Sequence, residues 1–170
     1  MPGAAAVDAV RALRDKLDTL PPQPSVALIQ DWLKTDAFVR WFRSPSGVWP
    51  IARLPDADAR AMGARDGVRV AVISEDTARK QAKHHPDIAP EEYVAAQRIV
   101  DHATAKASYA DPKTGRRRMI YIQEMDRYVM VVKATEDGGE LYMTTMYRLH
   151  SEEARRDREI ARLLQKAKKK

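Results

Sequence analysis

The chain has 170 residues, 44% hydrophobic and 32% charged, which suits one ordinary domain with a buried core and excludes two full domains or wholesale disorder. It has no cysteine, which excludes disulfide scaffolds, thiolate zinc sites, iron–sulfur clusters and a cysteine nucleophile. Its net charge of +6 is unevenly spread along the chain and leaves room for local cationic surfaces.

Residues 4–20 place Val7, Val10, Leu13, Leu17 and Leu20 at three- and four-residue steps, predicting an amphipathic helix. Pro21-Pro22-Gln23-Pro24 ends it as a stiff spacer. Ser25 is a predicted N-cap for a helix carrying Val26, Ile29 and Leu33, and Thr35 or Asp36 for a turn bearing Phe38, Val39, Trp41 and Phe42. Those aromatics read as a packing surface, with base stacking by Trp41 as the alternative. Residues 47–54 (GVWPIARL) predict a strand that Pro50 confines to an edge or a bulge. A short helix over 56–62 and a strand over 68–73 (VRVAVI) follow. Ser74 caps a helix to about His84, which Pro86 stops, and Pro90 opens the next.

From Arg118 the apolar period becomes two. Residues 118–123 and 127–134 are predicted strands, Asp137-Gly138 a two-residue turn, and 141–149 the returning strand. Ser151 caps a last helix, from Glu152 to about Lys166. Helices followed by an antiparallel sheet give an α+β fold: N-terminal helices on a small antiparallel sheet, then a basic C-terminal helix. The domain reading is a helical arm over 1–45, a main α+β domain over 46–150, and a basic helix and tail over 151–170.

A two-residue turn makes Lys133 face Tyr142, Val131 face Thr144, Val129 face Met146 and Arg127 face Arg148, all on one side of the hairpin. The other side, with Tyr128, Met130, Val132, Leu141, Met143, Thr145 and Tyr147, is the more apolar. A bulge or a slip of one residue would change which threonine joins the cations.

The positive charge is concentrated: residues 151–170 and the segment KTGRRR (113–118) each carry +4, leaving about −2 elsewhere. Such segments suit an anionic polymer, although basic helices and tails are commonly plain solvated surface. His85, in His84-His85-Pro86-Asp87, offers an imidazole for acid–base work, against the plainer reading of a histidine complementing a helix C-terminus. Lys133 and Arg148, with Thr144 or Thr145, would suit charge developing on a phosphate. Adjacent histidines diverge on a helix and no His-x-x-x-His spacing occurs, so neither metal nor cofactor is expected. Glycine-rich phosphate loops, Gly-x-Ser-x-Gly and a paired-carboxylate signature are also missing. No apolar run approaches the roughly 18 residues of a spanning helix, and the opening lacks a signal-peptide pattern, so neither a membrane nor classical export is expected.

The segments SEDTARKQAKHHPDIAPEEY, RRRMIYIQ, YVMVVKAT and ELYMTTMYRL, in that order over residues 74–149, resemble the phage-associated nuclease-like domains of the barnase, EndoU, colicin and RelE group. Such domains often form the C-terminal part of Mu-like head-morphogenesis proteins. The resemblance implies a metal-independent endoribonuclease in which the 2′-hydroxyl of RNA attacks the adjacent phosphate. It carries His85 over as general acid or base, Lys133 as countercharge to the phosphate, Thr145 as its binder or orienter and Arg148 as an assistant, which conflicts with the hairpin register that seats Thr144 beside Lys133. Arg116, Arg117 and Arg118 are the expected nucleic-acid-binding residues. Implied partners are RNA, a phage head protein or an inhibitor protein, and the implied place is a bacterial host cytoplasm or a virion. The competing readings are a non-catalytic phage structural or cargo-docking module and a plain nucleic-acid-binding domain.

Overall fold

The computed structural model describes residues 25–168. The expected helix over 4–20, the proline spacer and the last two lysines lie outside them. The elements run α1 (Val26–Leu33), α2 (Asp36–Arg43), β1 (Val48–Arg53), α3 (Asp56–Ala61), β2 (Val70–Ser74) and α4 (Glu75–His84). They continue with a 3-10 turn (Pro90–Ala95), α5 (Ala96–Asp101), β3 (Ala105–Ala110), β4 (Arg117–Gln123), β5 (Tyr128–Ala134), β6 (Leu141–Arg148) and α6 (Glu153–Lys168). The fold is α+β.

Local chemistry sets the helix starts. The side chains of Ser25, Thr35 and Ser74 accept the backbone N–H groups of Leu28, Phe38 and Thr77, each covering a donor that a helix N-terminus leaves open. Pro90 opens a 3-10 turn before α5 continues as an α-helix. Strand β3 was not foreseen: AKASYA has no β-branched residue and its short alternation rests on two alanines and Tyr109, and it is held by a full antiparallel pairing with β4 along the sheet edge.

Six strands form one sheet in the order β1-β2-β6-β5-β4-β3. The expectation of a purely antiparallel sheet is corrected in one place: β2 runs parallel to β6, through Ala71–Leu141 and Val72–Tyr142. Pro50 sits on edge strand β1 beside a register shift, where its missing N–H is harmless.

Both faces of the sheet are covered. One carries the main core, in which Ile29, Leu33, Phe38, Trp41 and Phe42 pack with Trp49, Tyr93, Met130, Met143 and Met146. Helices α1 and α2 therefore belong to the domain, and the part of the expected arm from residue 25 onward is no separate unit. Trp41 is fully buried and its indole N–H donates to the Ser46 carbonyl at 2.8 Å, so it offers no surface to a base. The other face carries Ile120, Ile122, Val129, Val131 and Leu149, roofed by Ile160, Leu163 and Leu164 of α6. A buried carboxylate ties α3 to the sheet: Asp58 accepts the exposed Lys106 Nζ at 3.0 Å and the Tyr121 hydroxyl at 2.8 Å.

The β5–β6 hairpin departs from expectation twice. Its loop is not two residues: Thr135 N–H donates to Glu140, and Gly138, at φ 73°, closes a turn on the Thr135 carbonyl. A β-carbon on Gly138 would stand 2.4 Å from the Gly63 carbonyl oxygen, so the site needs glycine for conformation and for space. The predicted pairing holds from Ala134–Leu141 through Lys133–Tyr142 to Val132–Met143. It then shifts, and Val131 meets Thr145, Met130 meets Met146, Val129 meets Tyr147 and Tyr128 meets Arg148. Thr144 is the inserted residue of the bulge. Strand β5 starts at Tyr128, since Arg127 takes the left-handed conformation (φ 62°) in the turn before it.

Beyond Tyr142, β6 has no strand on its β2 side, because β2 ends at Ser74 and the chain turns into α4. Gln81 fills that role. Its side chain donates to the Met146 carbonyl at 2.7 Å, accepts the Met146 N–H at 3.2 Å, and also meets the Tyr93 hydroxyl at 2.9 Å. One carboxamide thus satisfies both backbone groups of a buried residue, as a neighbouring strand would. Gln81→Leu leaves those groups buried without partners and is expected to lower unfolding free energy by about 3 kcal/mol. Urea denaturation checks this; a loss under about 1 kcal/mol would mean the carboxamide does not hold the fork.

Candidate functional site

The divergence of β2 from β6 opens a cleft of about 580 Å³. Ser74, Asp76, Thr77 and Lys80 form its α4 wall. Tyr142, Thr144 and Thr145 come from β6, Lys133 and Thr135 from β5 and its end, and Arg116 and Arg118 from the approach to and start of β4. Four cations and six hydroxyls thus face one carboxylate.

Strand alternation selects these residues. Lys133 projects to the same side as Val129 and Val131, and Arg118 is its cross-strand partner on β4. Arg116 also reaches the cleft, whereas Arg117, between the two, donates to Ser108 Oγ at 3.0 Å instead. The expected basic triplet is therefore split by the period of two.

Several cleft cations are already steered. Arg118 is paired with Asp111 at 2.6 Å, and Arg116 with Glu136 at 3.1 Å. Backbone N–H donation from Lys113, and then the Arg118 charge, hold the Asp111 carboxyl below the usual carboxylate range. Lys133 has no acidic partner at hydrogen-bond distance among the described residues. Partial burial, followed by repulsion from Arg118 and Arg116, holds its ammonium below the ordinary lysine range. Such a cluster gains from an anion that relieves the repulsion.

The bulge decides what the threonines do. Thr145 Oγ1 donates to Gln81 Oε1 at 3.2 Å, and Thr144 Oγ1 to the Val131 carbonyl at 3.3 Å. Both line the cleft, so the conflict between Thr144 and Thr145 dissolves: two successive residues face one partner and neither is turned fully to the core.

The bulge also removes Arg148. Shifted by one residue, it lies opposite Tyr128 and on the main-core side, where it pairs with Glu92 and stands 5.6 Å from the Tyr128 ring centroid. It does not join Lys133, contrary to the expected hairpin face. His85, at the C-terminal end of α4, is half-buried with its ring stacked on Tyr147, 17° between planes and 5.6 Å between centroids. Tyr147 is paired with Val129, four residues from Lys133, about 13 Å along the strand. His85 therefore stands on the flank of the cleft rather than within it. His84 is exposed.

Lys80, Ser74, Thr77, Tyr142 and Gln81 were not foreseen as site residues. Lys80 and Thr77 carry a weak signal, lying three residues apart on the polar side of a helix whose cap is Ser74. Nothing in the sequence announces that α4 lies along β6.

No protein-family model, curated protein or solved structure matches this chain.

The cleft makes a sharp prediction about Lys133. Because its proton is held more weakly in the folded than in the unfolded chain, stability should rise with pH across the alkaline window between the two pKa values. Lys133→Met should flatten that rise. Titration of the Lys133 Nζ signal by NMR should give a pKa below that of a free lysine, and inorganic phosphate should move it upward. A pKa insensitive to phosphate would contradict anion binding here.

Proposed function

We propose that this chain is an endoribonuclease of the metal-independent kind, holding the RNA phosphate backbone in the forked cleft and cleaving by attack of the 2′-hydroxyl. The observation carrying this reading is the grouping of Lys80, Arg116, Arg118 and Lys133 with six hydroxyls in one cleft, where Arg116 and Arg118 are paired with Glu136 and Asp111 while Lys80 and Lys133 make no ion pair among the described residues. A phosphodiester presents charged oxygens that cations and hydroxyl donors match, and the attack adds charge to those same oxygens. Lys133 and Arg118, adjacent across β5 and β4, are suited to counter that charge. Tyr142, Thr144 and Thr145 are suited to orient the phosphate.

The reaction also needs a proton to leave the 2′-hydroxyl and one to reach the departing 5′-oxygen. The resemblance of residues 74–149 to phage-associated nuclease-like domains gives that work to His85. In this reading the strand runs along the groove between α4 and β6, with His85 at its far end. Arg148, committed to Glu92, has a structural role.

A second reading, RNA binding without cleavage, draws on one observation: the His85 ring is stacked on Tyr147 and about 13 Å along the sheet from the Lys133 rung. Incubation of purified protein with total RNA and a chelator separates the two. Cleavage should yield 2′,3′-cyclic phosphate ends, and Lys133→Ala should reduce it at least a hundredfold. His85→Ala should abolish it with RNA affinity within about threefold of the parent. Intact RNA with retained binding would favour the second reading, and full activity in His85→Ala would remove histidine from the mechanism.

A further inference from the structure

Tyr147 is half-buried, yet its hydroxyl has no hydrogen-bond partner among the described residues. It forms the aromatic wall of a second cavity, of about 290 Å³, completed by Glu159, Arg162, Leu163 and Lys166 of α6. Burial, then the nearby Glu159 carboxylate and Tyr109, push the Tyr147 phenol up to about 12, so it stays neutral and available as donor or acceptor. Arg162 and Lys166 are exposed and make no ion pair among the described residues. Glu159 spends one oxygen on the His150 N–H, at 2.7 Å, and keeps the other.

The place of this cavity matters. Tyr147 follows Thr145, a wall of the phosphate cleft, by two residues of β6, about 7 Å along the strand. Its ring is braced by the parallel ring of His85. A flat, firmly held aromatic beside a phosphate cleft, with an apolar leucine, a carboxylate acceptor and two cations around it, has the composition of a site for an unstacked nucleobase.

We propose that the cavity between Tyr147 and α6 is a nucleobase subsite, which takes a base of the RNA strand whose phosphate lies in the forked cleft. This rests on the RNA-binding reading above. The base lies against Tyr147 and Leu163, the free oxygen of Glu159 accepts from an exocyclic amino group, and Arg162 and Lys166 meet the next phosphate. The C-terminal helix, which roofs the apolar sheet face, thereby also forms one wall of the substrate channel.

The test uses two uncleavable 2′-O-methyl tetranucleotides, one of cytidines, whose N4 amino group suits Glu159, and one abasic at the second position. The parent protein should bind the complete tetramer about tenfold more tightly, within the range of one stacked base. Tyr147→Ala should bind both alike, while Lys133→Ala should weaken both to the same degree. In the parent protein, methyl signals of Leu163 should shift with the complete tetramer and not with the abasic one, a readout that needs no substitution. Equal affinity of the parent for both ligands overturns the subsite and leaves the phosphate cleft standing, as does a full preference retained by Tyr147→Ala. Failure of both ligands to bind overturns the RNA reading and the subsite with it.

Discussion

A single carboxamide makes this architecture workable. Strand β6 loses its neighbour where β2 turns into α4, and an exposed strand edge inside a core is costly because its N–H and C=O groups have no water. Gln81 answers both groups of Met146 and thereby ties α4 to β6. That bridge acts together with the burial of Ala78 in the main core to seat the helix, and without the helix there is no second wall for the cleft. The same side chain receives the Thr145 hydroxyl, so the device that stabilises the edge also sets a residue of the candidate site.

The cleft is an electrostatic arrangement held in place by hydrophobic packing. The apolar rows on the two faces of the central strands fix β4, β5 and β6, and alternation along them then determines which charged residues meet. Arg118 and Lys133 come together because they are opposed across β4 and β5; Arg117 is excluded because it is one residue out of phase. Burial first, and then repulsion from Arg118 and Arg116, depresses the pKa of Lys133. A bound anion would offset that repulsion, which makes it a source of affinity in the proposed complex.

Much of the fold was legible in the sequence because it follows from short-range chemistry. Ser25, Thr35 and Ser74 mark helix starts through capping, Pro50 marks an edge, and the alternation in residues 128–134 and 141–148 marks paired strands. Strand β3 was not legible, since AKASYA is a strand through its pairing with β4 and not through its own propensity. The candidate site was read in part. Lys133 and the threonines were found, but a one-residue bulge at Thr144 sent Arg148 to the opposite face, and no local signal distinguishes an inserted threonine from its neighbour. The contributions of Lys80 and Gln81 depend on the packing of α4 along β6, a contact between segments some 65 positions apart.

On the proposed function, an RNA phosphate binds in the fork between β2 and β6 and not on the basic tail or the C-terminal helix in general. Backbone amide NMR during titration with an uncleavable RNA oligonucleotide is the decisive experiment. Signals of Ser74, Thr77, Lys80, Arg118, Lys133, Tyr142, Thr144 and Thr145 should shift together, saturating along one binding curve. Shifts confined to exposed residues of α6 and to Arg117, with the fork unchanged, would place the RNA elsewhere and overturn the proposal.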